Sequence, residues 1–208
     1  MNKKKTIIAA IVLLLVCAVG GAIAYFTDTD SKTNVFTIGN VDIELVEPNW
    51  DTTDDNENDV PDAAENVSPG QSVAKDPKVN NNSTSNPAYV FMKVEVPCST
   101  AESPATPIEL FTYTVKSGWT ELDTAAVACT SGGNATHVYY YGADGSLTSL
   151  AAGASTGTLF DTVALSTAVT GSTGGLSGNK NVVATGSGIK TEGLTSTAPA
   201  TVWGNFSS

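Results

Sequence analysis

Arginine is absent from all 208 residues, and ten lysines stand against 21 acidic residues. A phosphate-binding surface is built from Arg or clustered Lys. Nucleic acid is therefore excluded as a partner, and so is an anionic membrane surface for the body of the chain. Histidine is nearly absent too: His137 is the only one. That is too few for a multi-histidine metal centre, and there is no H-E-x-x-H helix. No Ser-His-Asp or Cys-His pattern surrounds it, and between Thr136 and Val138 it reads as a surface or hairpin residue of a strand. Beyond residue 26 no apolar period of 3.6 is sustained, which leaves no amphipathic helix to build with.

The N-terminus is the most patterned stretch. Met1-Asn2-Lys3-Lys4-Lys5 precedes an apolar run from Thr6 to Gly21, followed by Ala22-Ile23-Ala24. A basic start, an apolar centre and an A-x-A tripeptide define a helical secretion signal. The small side chains of Ala22 and Ala24 fit a signal peptidase, with cleavage before Tyr25. The alternative is a retained anchor, because Thr6 to Phe26 is long enough to span a bilayer. Membrane contact is expected only through an uncleaved leader. All acidic residues lie after Ala24, so the cleaved chain carries seven lysines against 21 carboxylates, a net −14. Cys17 leaves with the leader. Cys98 and Cys129 remain as an even pair in an exported chain, where a disulfide is expected, with two buried thiols as the alternative. Such a bridge closes a loop of about 30 residues and contributes about 3–4 kcal/mol.

What is present after the leader is alternation, the mark of strands with one buried face. Val41, Ile43 and Leu45 alternate with Asp42 and Glu44, and the opposite parity of Phe36 and Ile38 predicts a bulge at Gly39-Asn40. Residues 48–70 read as a long acidic surface loop. Val73 to Val79 reads as one short strand, Asn80 to Pro87 as a turn-rich connector, and Tyr89 to Val96 as the clearest strand, with Val90, Met92, Val94 and Val96 on its apolar face and Lys93 and Glu95 on the other. Further strands are expected over Ile108–Lys116, from Gly118-Trp119, over His137–Tyr141, around Leu159–Leu165 and over Val182–Ile189. Gly142-Ala143-Asp144-Gly145 marks a hairpin. Many short strands between turn signals predict an all-β fold, a single antiparallel sandwich over residues 35–208.

Three stretches carry a likeness to a known family. The first is Ala22-Ile23-Ala24-Tyr25-Phe26-Thr27-Asp28 with Phe36-Thr37-Ile38-Gly39-Asn40-Val41-Asp42-Ile43. The second is Val67-Ser68-Pro69-Gly70 through Lys75-Asp76-Pro77-Lys78-Val79 to Pro87-Ala88-Tyr89-Val90-Phe91. The third is Tyr139-Tyr140-Tyr141 with Leu150-Ala151-Ala152-Gly153 and Leu159-Phe160-Asp161-Thr162-Val163. Together they resemble the TasA/camelysin group of exported Gram-positive proteins. The resemblance implies a jelly-roll-like sandwich, a dedicated signal peptidase, and subunits of extracellular biofilm matrix or surface fibres. It also implies donor-strand assembly, alone or with a related accessory protein.

The physics of that assembly can be stated from the residues. Cleavage frees residues 25–34 as an arm, with Tyr25 and Phe26 as apolar anchors followed by Thr27 and Asp28. An open sheet edge offers unpaired N–H and C=O groups to such an arm. Head-to-tail addition that does not close yields a filament. The alternative is that residues 25–34 simply link the leader to the first strand. Two other functions stand beside the fibre subunit. One is a monomeric surface or secreted binding module stabilised by calcium, for which Asp55, Glu57 and Asp59 have the spacing of the first ligands of a calcium loop, against a merely solvated acidic loop. The other is a camelysin-like metallopeptidase, but the family's peptidase chemistry maps onto no residue here. No enzyme activity is expected.

Overall fold

The computed structural model describes residues 41–58, 60–101 and 104–206. The leader, the arm and the bulge expected at Gly39-Asn40 lie outside the described residues. The chain divides into two units, residues 1–38 and 39–208, and the described residues all fall in the second.

Its described residues include ten strands: β1 (Ile43–Val46), β2 (Ser72–Ala74), β3 (Lys78–Asn81), β4 (Ala88–Pro97), β5 (Phe111–Tyr113), β6 (Trp119–Glu121), β7 (Asn134–Ala143), β8 (Ser146–Leu147), β9 (Thr162–Leu165) and β10 (Val183–Lys190). Every pairing is antiparallel. The back sheet runs β10-β4-β7-β6, with β8 against the end of β7. The front face holds β2-β9-β5 and the pair β1-β3. Backbone bonds of residues 153–161 join these two pieces: Asn81 N–H to Ala154 O, Thr156 N–H to Val79 O, Leu159 N–H to Pro77 O and Lys75 N–H to Asp161 O. The all-β fold predicted from alternation is thus observed, as two antiparallel faces packed on each other.

The inner face of β4 supplies the centre of the core. Ala88, Val90, Met92, Val94 and Val96 have no exposed surface and pack with Val79, Trp119, Tyr139, Leu159, Phe160 and Val163. Burying side chains of this size contributes about 1.5–3 kcal/mol each. On β10 the inward positions Gly186 and Gly188 let β1 close on the back sheet. A methyl group at Gly188 would stand only 2.8 Å from Ile43. The hairpin expected at Gly142–Gly145 turns on Asp144 and Gly145, whose φ of 51° and 76° suit a two-residue turn with both residues left-handed.

Three expectations need correction. Val73 to Val79 is not one strand but two, β2 on β9 and β3 on β1. Pro77 has no N–H and restrains the residue before it. That residue, Asp76, is buried, and its carboxylate accepts the backbone and side-chain N–H of Asn49, each at 2.8 Å. The strand expected over Ile108–Lys116 shrinks to Phe111–Tyr113, with one isolated bridge between Glu109 and Cys98.

The third correction concerns the outer face of β4, where Lys93 and Glu95 predicted solvent. Phe91 has no exposed surface. It is covered by a short helix, α1 (Pro199–Trp203), and the 3₁₀ turn Gly204–Phe206, with the Trp203 and Phe206 rings 5.4 and 5.8 Å from its own. Val138, Tyr140, Leu122 and Val202 complete this second, smaller core.

Candidate functional site

Two places combine chemistry with access. The first is built around His137, on the inward face of β7. Its Nδ1 lies 2.7 Å from Glu121 Oε1 on β6, and its Nε2 lies 3.0 Å from Glu109 Oε1 just before β5. The hydrogen bond to Glu109, with Glu121 adding to it, raises the imidazole to about 9 against the opposing effect of burial. Beside it the hydroxyls of Tyr113 (β5) and Tyr139 (β7) share a hydrogen bond of 3.0 Å. Burial pushes both phenols up, Tyr139 to about 12. The cluster ties the front face to the back sheet along the β5–β6 flank.

His137 is therefore neither a plain surface residue nor a hairpin residue. A carboxylate faces each of its nitrogens, so neither ring lone pair is free to hold a metal ion. Its partners lie 28 and 16 residues away in the chain. Local sequence could not pair them; the signal available was only that Glu109 and Glu121 sit in strand-like surroundings.

The second place is a groove of about 680 Å³. Its apolar floor is the inner face of the front sheet at Val73, Phe111, Val163 and Leu165. Leu176 and Val182, on the segment leading into β10, form one wall, and parts of the 47–67 loop form the other. Lys75 stands at its side, bonded to Glu47 at 2.8 Å with its ammonium 5.1 Å from the centre of the Trp50 ring. Leu176, a large apolar side chain on its wall, is 40 % exposed. β2 ends the order β2-β9-β5, so its outer edge pairs with no strand among the described residues. Unpaired backbone beside an apolar floor is the chemistry that receives an added strand.

The residues singled out in the sequence fall as follows. Ala22, Ala24, Tyr25, Phe26, Thr27 and Asp28 lie outside the described residues, as does Asp59. Asp55 and Glu57 are exposed on the acidic loop. Among the described residues, no three His, Cys, Asp or Glu side chains are grouped to hold a metal ion. The side chains that do converge belong to a register one residue earlier. The amides of Asn56 and Asn58 both donate to Glu65 Oε1, and the Asn58 N–H donates to Asp54. Asp54, Asn56, Asn58, Asp62 and Glu65 occupy the first, third, fifth, ninth and twelfth places of the twelve-residue calcium-loop spacing, with Asp59 where that loop has glycine. Cys98 and Cys129 are bonded to each other, their Cα atoms 5.7 Å apart.

Among the described residues no helix is long and apolar enough to cross a membrane. A family model described as camelysin metallo-endopeptidase matches residues 2–106 of the 208. No curated protein and no solved structure matches the chain.

Proposed function

This chain belongs to the camelysin metallo-endopeptidase family, and from that premise we propose that it is a secreted, non-enzymatic subunit of extracellular fibres. The observation that carries this reading is the asymmetry of the two flanks. β5 and β6 end their sheets as β2 does, but Glu109, His137 and Glu121 tie that flank with side chains, whereas the edge of β2 lies beside an open apolar groove. The occupant we propose for the groove is the arm of a neighbouring copy, residues 25–34, released when the leader is cut after Ala24. Alternate side chains of the arm, Tyr25 or Phe26 first, enter the apolar floor. Asp28 and Asp30 fall on the strand positions that alternate with it or reach Lys75 and Lys180 at the groove's side.

Head-to-tail repetition of one such contact makes a filament. The partners are then further copies of the chain, with a related protein to start the polymer, at the surface or in the matrix of a Gram-positive cell. The test replaces the anchors. Tyr25→Asp or Phe26→Asp leaves a folded monomer that no longer scatters light as a polymer, while wild type does. Normal polymerisation by both variants would remove the arm from the account.

The family's description favours a metallopeptidase. Against it stands the single imidazole, already held on both nitrogens by carboxylates. Casein cleavage by the secreted protein that is lost on chelation would overturn the non-enzymatic part. The spacing of Asp54, Asn56, Asn58, Asp62 and Glu65 favours a second reading of the acidic loop, as a calcium-stabilised wall of the same groove. Under that reading, millimolar calcium raises Tm in wild type and not in Glu65→Ala; equal Tm values with calcium and with chelator would contradict it.

A further inference from the structure

The Glu109, His137 and Glu121 cluster has a property that an ordinary surface ion pair lacks. A neutral imidazole carries one N–H, so it can donate to one carboxylate only. Here Oε1 of Glu121 lies 2.7 Å from Nδ1 and Oε1 of Glu109 lies 3.0 Å from Nε2. Both bonds are satisfied only by the doubly protonated ring. Removing its proton turns one of these contacts into a lone pair facing a carboxylate at hydrogen-bond distance.

The surroundings make that loss felt. The His137 side chain is 22 % exposed, each glutamate 36 %. From β5 the ring meets Tyr113 edge-on at 6.2 Å, and along β7 it stacks at 6.3 Å on Tyr139. From β4 the residue in register is the apolar Val94. The titratable groups facing the ring are therefore Glu109, Glu121, Tyr113 and Tyr139. Among the described residues no lysine is paired with either glutamate to substitute for the imidazolium. Glu109 sits on the short segment before β5, which holds the front face here.

We propose that Glu109, His137 and Glu121 form a proton-dependent clasp that fastens the β5 end of the front face to β6 and β7 at neutral pH and lets it go in alkali, when the imidazole loses its second proton. Tyr113, Tyr139 and Phe160, which pack behind the clasp, then open to solvent. The direction of the pH dependence follows from the raised imidazole. The stabilisation is complete below about 6.5, the ordinary value, and is lost as pH rises through about 9.

Because His137 is the only histidine, a single resonance set reports it. The experiment is an NMR titration of the imidazole in the secreted protein, paired with Tm against pH for wild type and His137→Gln. The expected midpoint is two or more pH units above that of free histidine, about 6.5. The Tm advantage of wild type over His137→Gln is expected at pH 6–7 and absent by about pH 10. Should His137→Gln fail to fold, Glu109→Gln serves in its place, with a histidine midpoint at least one unit lower than wild type. An unshifted midpoint, or Tm profiles that run parallel through pH 10, would overturn the clasp. Neither result depends on polymerisation.

Discussion

Replacing Asn81 tests the packing argument most sharply, because this side chain was expected in a turn and is instead fully buried. Its amide donates to three carbonyls, Asn86 at 3.0 Å, Leu150 at 3.1 Å and Ala151 at 3.2 Å, and its oxygen accepts the Ser83 N–H at 3.2 Å. The amide has two N–H groups for those three carbonyls, so about three full bonds at about 1 kcal/mol each would give about 3 kcal/mol. The Leu150 and Ala151 carbonyls also accept backbone N–H groups from Ala88 and Ala154, so they keep a partner. Asn81→Ala is therefore expected to cost about 2–4 kcal/mol, with the cavity included. At about 2–4 °C per kcal/mol for a domain of this size, Tm falls by about 5–15 °C.

Asn81→Asp is expected to be worse at neutral pH, since a carboxylate has no proton to give three carbonyls. Its folded-state carboxyl is raised, so the deficit shrinks as pH falls toward 4, when the protonated acid can donate. Calorimetry from pH 4 to 8 reads both effects. A loss below about 1 kcal/mol for Asn81→Ala, or an Asn81→Asp deficit that does not vary with pH, would refute the reasoning.

Reduction, or the double change Cys98→Ser and Cys129→Ser, is expected to lower stability by about 2–4 kcal/mol, because the bridge closes a separation of 31 residues. Unchanged Tm in the double variant would contradict a stabilising bridge. Calcium is expected to raise Tm only where Glu65 is intact, and the clasp gives wild type a Tm advantage over His137→Gln that fades between pH 7 and 10, each measured as described above.

How much of this was legible depends on the range of the interaction. Alternation in Tyr89–Val96 marked the central strand because its inner positions face one uniform apolar environment. The Asp-Gly turn was legible because its backbone needs two left-handed residues. The outer face of the same strand was misjudged. Lys93 and Glu95 signalled solvent, but Phe91 is covered by a five-residue helix too short to show a period. Pro77 held the clue that Val73–Val79 divides, yet the reason it divides is Asp76 capping Asn49, a contact across 27 residues. The clasp was illegible for the same cause. A lone histidine tells nothing until the sheet brings Glu109 and Glu121 to its two nitrogens.

The groove and the arm are the centre of the functional account, and they can be tested apart from fibre growth. A synthetic peptide of residues 25–40 is added to the subunit that lacks residues 25–34, and its binding is followed by NMR. The account predicts saturable binding, with shifts concentrated at Val73, Phe111, Val163, Leu165 and Val182, and none with a scrambled peptide. No binding, or binding that leaves those five residues unmoved, would contradict it.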